Sequence, residues 1–268
     1  MAIVNRTPDS FFDKGSTFAL DKAVDAALAA ANSGAAFIDV GGVPFGRGPI
    51  VTLDQEIDRV VPLVEAIHVA SDCVISVDTF NAEVARLSIA AGAGIINDTS
   101  GLYDPDMAAV VAESDATLVL THSLAPPRSE HPRPHYGDVT VEVIAFLRDR
   151  IGRAGAAGVP LERLIIDPGH DLNKNTWHSL ELTRRLEEIV AIGLPTLVAV
   201  SNKDFVGETL NREQGRRLEG SLAAAVVCIM KGARILRMHD AAAAVAAAQM
   251  TEAILGLRDP AYTRHNVE

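Results

Sequence analysis

Basic residues are in short supply. The 268-residue chain carries 24 Lys and Arg against 35 Asp and Glu, a formal net charge of −11. That imbalance excludes nucleic acid or an anionic membrane as the expected partner, because both are held through an excess of cations. Any anion site must be a local basic pocket in an acidic protein. Cysteine is scarcer still: Cys73 and Cys228 both sit in apolar runs, which reads as reduced, buried thiols in a cytoplasmic protein. No apolar run approaches the roughly 18 charge-free residues of a membrane span, and no basic segment leads into an apolar one at the start. A soluble, unprocessed protein is expected. Aromatics supply only 4% of the residues, and Ala and Val dominate an apolar fraction of 48%, ample for a sizeable core.

Eight short β-rich runs recur between helical patterns: Ala2–Asn5, Ala36–Val40, Cys73–Asp78, Gly94–Asn97, Thr117–His122, Leu164–Asp167, Thr196–Ser201 and Arg234–His239. Each is nearly continuously apolar, as parallel strands buried on both faces are. Helical spacing marks Asp21–Asn32, a segment opened by the capping-box pattern Thr52-Leu-Asp-Gln55, Ala82–Ala91, Pro105–Ala112, Val139–Gly152, Ser179–Ile192, Glu219–Met230 and Ala241–Leu255. Strand and helix alternating eight times predict one α/β domain over residues 1–268, a (β/α)8 TIM barrel, with an open doubly wound sheet as the alternative. Long loops follow strands 1 and 2. A third, Ser123–Gly137, is rich in Pro, His and Arg and reads as a surface excursion.

Nearly every strand ends in a polar residue, and a barrel gathers those ends around one cavity. Asn5, Arg237 and His239 belong to strands 1 and 8, neighbours once the ring closes; together they make an anion pocket with Arg suited to bidentate phosphate contact. The structural alternative is an Arg237–Asp240 pair beside a core histidine. Asp78, Asn97, Asp167 and Lys203 come from strands 3, 4, 6 and 7, and two carboxylates, an amide and a cation suit a flat nitrogen heterocycle. A purely structural polar network is the competing reading. A metal-hydrolase barrel would want His-x-His on an early strand, where only Asn5 stands.

Seven stretches then carry a family likeness: Val4-Asn-Arg-Thr-Pro-Asp-Ser-Phe11, Ile38-Asp-Val-Gly-Gly42, Ile75-Ser-Val-Asp-Thr79, Ile95-Ile-Asn-Asp98, Ile166-Asp-Pro-Gly169, Ser201-Asn-Lys203 and Arg237-Met-His-Asp240. In this order the sequence resembles the dihydropteroate synthase family over nearly the whole chain. The resemblance implies a (β/α)8 barrel, commonly homodimeric, that joins a dihydropterin-methyl diphosphate to p-aminobenzoate with the help of Mg2+. It implies that Asp78, Asn97, Asp167 and Lys203 hold the pterin. It gives Asn5, Arg237 and His239 to the diphosphate, Asn5 also to the metal. Phe11, Asp13 and Arg47 are implied loop contributors to the site.

The departures from the family pattern cluster. Where the family has Gly-Gly-Glu-Ser-Thr-Arg-Pro-Gly, this chain has Val43, Phe45 and Gly46 at the Glu, Thr and Arg places, with Arg47 displaced by one. After strand 6, Gly-Ile-Gly-Phe-Gly-Lys becomes Gly169-His-Asp-Leu-Asn-Lys174, so Leu172 replaces the Phe. After strand 7, Asn202 and Asp204 replace the Arg and the second Ser of Ser-Arg-Lys-Ser. A carboxylate at Asp204 would face the aminobenzoate carboxylate, and like charges about 4 Å apart repel by roughly 1 kcal/mol in water and about 4 kcal/mol at an effective dielectric of 20. Asp204 turning toward Lys203 would relieve this. The expectation is a dihydropteroate synthase-like protein, weak or inactive as a synthase, resembling the divergent second paralogues of some bacteria. The alternatives are a working synthase with Arg47 substituting, a transferase with another amine acceptor, and a non-catalytic pterin- or phosphate-binding protein.

Overall fold

Short strands that are apolar on both faces are stable only with helices outside and a packed interior within. The computed structural model describes residues 1–7, 19–44, 50–125, 127–129 and 133–266, and these residues take that arrangement. The strands are β1 (Ala2–Asn5), β2 (Phe37–Gly41), β3 (Val74–Asp78), β4 (Ile95–Asp98), β5 (Thr117–Thr121), β6 (Leu164–Asp167), β7 (Leu197–Val198) and β8 (Ile235–Leu236). All neighbouring pairs run parallel, β1 to β6 as one sheet and β7 with β8 as another. Two single bridges close the ring: Ile166 to Thr196 joins β6 to β7, and Ala2 to Met238 joins the end of β8 to β1. The eight-stranded barrel expected from the alternation is therefore present, and the open sheet is not.

Ten helices surround it among the described residues: α1 (Leu20–Asn32), α2 (Leu53–Ala70), α3 (Ala82–Ala90), α4 (Met107–Ala112), α5 (Val139–Ala156), α6 (Thr176–Arg184), α7 (Leu186–Val190), α8 (Asp204–Leu210), α9 (Leu218–Met230) and α10 (Ala241–Ile254). The predicted capping box holds, with Gln55 N–H donating to Thr52 Oγ1 and Thr52 N–H to Gln55 Oε1. The core divides as a barrel requires. Ile95, Val119, Ile165, Leu197, Ala199 and Ile235 fill the interior, while larger clusters lie between strands and helices.

Three expectations need correction. Strands 7 and 8 are shorter than their apolar runs, and the chain after strand 7 turns at Asn202, whose φ is 56°. The single helix expected over Ser179–Ile192 begins earlier, at an Asn175 cap, and breaks at Arg185, whose side chain pairs with Asp138, Glu181 and Glu188. Helix α8 was not expected at all.

Gly169, just after β6, has φ +67°, and a Cβ there would lie 2.2 Å from the backbone oxygen of His122. Gly169→Ala is expected to cost about 2 kcal/mol or more in unfolding free energy, since neither the conformation nor the neighbouring backbone can yield cheaply; urea denaturation measures it.

Candidate functional site

Parallel registration places the polar strand ends side by side. Gly41 of β2 lies opposite both Asn5 and Asp78, and Asp78 lies opposite Asn97. Gly41 is a close approach: a Cβ there would meet Asn5 Oδ1 at 2.8 Å. Across the ring, Arg237 follows β8 and reaches back to strands 2 and 3. Its Nε donates to Asp39 Oδ2 at 2.6 Å and its Nη2 to Asp78 Oδ2 at 2.8 Å. Asp39 is fully buried and also accepts Ser76 Oγ at 2.5 Å and Asn97 Nδ2 at 3.3–3.4 Å. Arg237 thus joins the two groups that strand order had separated, and its expected pairing with Asp240 is absent. Asp240 instead caps α10 through the Ala243 N–H. Burial works against the Arg237 charge, but Asp39 and Asp78 raise its pKa above the usual arginine value.

Desolvation pushes the Asp78 carboxyl up to about 6, with Arg237 opposing and Asp39 reinforcing the rise. Asn97 Oδ1 is buried with no hydrogen-bond partner among the described residues, an acceptor awaiting a donor. Asp167 accepts the Gly169 N–H at 2.7 Å, and burial raises its pKa against that bond and against Lys203 and Arg237. Burial lowers the Lys203 pKa, opposed by Asp171, Asp167 and Asp78. His239 meets Ser201 through Nδ1 and Oγ at 2.9 Å and is half-buried.

The loops after strands 5, 6 and 7 interlock. Lys174 is buried, its Nζ on the carbonyls of Gly169 and Leu172 and on His122 Nδ1 at 2.8 Å. Burial brings Lys174 down to about 7 and, with Lys174 adding to the effect, His122 down to about 2. Asn173 Oδ1 accepts from Ser123 Oγ and from the N–H groups of Leu124 and Ala125, and Tyr136 donates to Asn173 O. The described ends of the Ser123–Gly137 loop are therefore anchored. Leu172 is buried and Val43 half-buried.

Asp204 is the main correction. Its carboxylate points neither to a partner carboxylate nor to Lys203; it bonds Arg217 Nη1 at 2.8 Å with its side chain 75% exposed. The same guanidinium nitrogen donates to Asn202 O. Arg217, brought in at the start of α9, is far enough along the chain that reading the strand-7 motif alone misses it. Phe11, Asp13, Phe45, Gly46 and Arg47 lie outside the described residues. The sequence reading gave Asp39, one of the polar strand ends, no role in the site, although a carboxylate inside an apolar strand buried on both faces must find a cation. Among the described residues no cluster of three or more His, Cys, Asp or Glu could hold a metal. The Asn5 amide oxygen is the right donor type for a hard cation such as Mg2+, which keeps water and phosphate as its other ligands.

Asp39→Asn strips the charge that Arg237 meets most closely, and a loss of about 3 kcal/mol or more in unfolding free energy is expected. Asp78→Asn, at the more exposed partner, costs less; urea melts of both variants check the order.

Residues 1–239 match the family model described as "Pterin binding enzyme". The "Inactive dihydropteroate synthase 2" of Mycobacterium tuberculosis is 48% identical, covering 98% of this chain and 85% of its own. The "Dihydropteroate synthase" of Escherichia coli is 40% identical, covering 97% of this chain and 92% of its own. The Xanthomonas albilineans dihydropteroate synthase solved in complex with 7,8-dihydropteroate superposes with a TM-score of 0.86 at 38% identity, covering 96% of this chain and 94% of that one. With the matched family model spanning residues 1–239 and the strand-end motifs brought together at one end of the barrel, the protein belongs to the pterin binding enzyme family.

Proposed function

We propose that the protein binds a pterin and a diphosphate but turns over weakly, or not at all, as a dihydropteroate synthase. The observation that carries the ligand half is the buried Asp39–Arg237–Asp78 network with Asn97 Oδ1 lacking a donor beside it. Asp78, Asn97 Oδ1 and Asp167 would accept from the N–H groups of a pterin edge, and Lys203 would donate to its carbonyl. Arg237 Nη1, His239 and Asn5 would face the diphosphate, with Asn5 also on Mg2+; the metal would draw charge from the leaving oxygens. In the synthase reaction an arylamine nitrogen attacks the methylene, the C–O bond breaks and diphosphate departs with its electron pair. Nothing at the pterin end opposes that step. The acceptor end does, because Leu172, Asn202 and Asp204 stand where the family's aminobenzoate-lining residues would. The "inactive" name of the mycobacterial relative agrees.

Calorimetry is expected to show pterin binding that is independent of pH above about 6. Below it, affinity falls by up to about tenfold per pH unit, since protonated Asp78 no longer accepts. Asp78→Asn is expected to weaken that dependence, leaving the part contributed by Asp167, which burial also raises. Dihydropteroate formation from the diphosphate and p-aminobenzoate is expected to be negligible, and the gene is expected not to complement a synthase-deficient strain. Robust complementation would restore the working-synthase reading, and diphosphate release driven by a different amine would establish another acceptor.

We also propose a homodimer formed through α9 and α10, in a cytoplasmic protein whose two cysteines are free. These helices pack on each other and leave Val227, Met230, Met250 and Ile254 exposed. Sedimentation is expected to give a dimer, and Met230→Glu combined with Ile254→Glu a monomer.

A further inference from the structure

Asp171 and Asn173 both adopt left-handed backbone, with φ of 63° and 52°. The family motif has Gly at both places, and Asp and Asn are the residues that tolerate this conformation best after Gly. The fold is therefore kept, but two side chains are added that Gly cannot supply. Asn173 ties the strand-6 loop to the strand-5 loop, as described above. Asp171 ties it to the strand-7 loop: Oδ1 accepts from Ser179 Oγ at 3.0 Å, and Oδ2 accepts the backbone N–H groups of Asp204 at 2.5 Å and Phe205 at 3.3 Å. The other strong donor of that loop region, Arg217, is held by Asp204.

We propose that Asp171 is a specificity-determining residue that fills the acceptor end of the site with the chain's own carboxylate and so excludes an anionic arylamine. This rests on the reading that the cavity binds a pterin beside Lys203. Asp171 stands beside the Lys203 segment, since its Oδ2 accepts the N–H groups of the two residues that follow Lys203. Two internal carboxylates therefore already sit on the Asp204 and Phe205 N–H groups and on Arg217. A substrate carboxylate arriving there would displace a bonded anion or lie against it. A neutral arylamine meets no such competitor, which separates charge exclusion from simple blockage.

The full chain is first titrated with dihydropterin and inorganic diphosphate, an unreactive pair, and then with p-aminobenzoate or aniline, followed by calorimetry. Asp171→Gly is expected to tighten p-aminobenzoate about tenfold, the value of one recovered charge-assisted hydrogen bond. Asp171→Asn, which keeps the side chain and its bond to Ser179, is expected to tighten it about threefold. Aniline binding is expected to stay the same in both. Equal gains for aniline and p-aminobenzoate, or no gain in either variant while the pterin still binds, would overturn the inference. Should Asp171→Gly fail to fold, the Asp171→Asn comparison decides alone. Failure of the first titration in the unaltered chain overturns the functional reading itself, and this inference with it.

Discussion

Arg237 and Asp39 are separated by 198 positions and meet at 2.6 Å inside the barrel. A guanidinium and a carboxylate taken out of water each cost several kcal/mol, recovered only if both find good geometry and further hydrogen bonds. Here they do. Asp39 is also bonded by Ser76 and Asn97, and Arg237 by Asp78, so residues from strands 2, 3 and 4 and from the end of strand 8 are bound into one charged cluster. The cluster fixes the rotamers that line the cavity before any ligand arrives. It also explains why an acidic protein can offer an anion a cation: the cation is held in place by carboxylates buried behind it.

Much of this arrangement is legible in the chain. Strands 1 and 6 begin and end where their apolar runs do, and the polar strand ends converge because parallel strands of a closed ring must align them. What the residues of one motif cannot reveal is a partner brought in by the fold. Asp204 read in its own motif appears as a bare carboxylate; in the fold Arg217, from the next helix, neutralises it. Asp39 stands in the sequence only as a polar strand end for a similar reason, since its partner Arg237 lies at the far end of the chain. Helix α8 was hidden because Ser201-Asn-Lys-Asp204 looks like the fraying end of a strand until Asn202 turns the backbone.

The family pattern also explains where divergence concentrates. Arg237, Asp78 and Asn97, proposed for the ligand, are bonded to one another or to Asp39 across strands, so replacing one leaves partners unpaired in a dry interior. The residues proposed for the acceptor end lie on loops, where a new side chain can form local bonds without disturbing the ring. Replacing two glycines by Asp171 and Asn173 keeps the left-handed turns and exchanges an open loop for a cross-tied one.

The seams between the two sheets give the barrel one further property. Strands 7 and 8 share a ladder with each other but reach their neighbours on either side through single bridges. Lys203 and Arg237 lie in the chain that follows those two strands, whereas Asp78, Asn97 and Asp167 belong to the six-stranded sheet. A molecule that touches both sets spans the seam and acts as a staple. Its binding free energy is then also free energy of keeping the ring shut, so occupancy and global cohesion rise together even where no reaction follows.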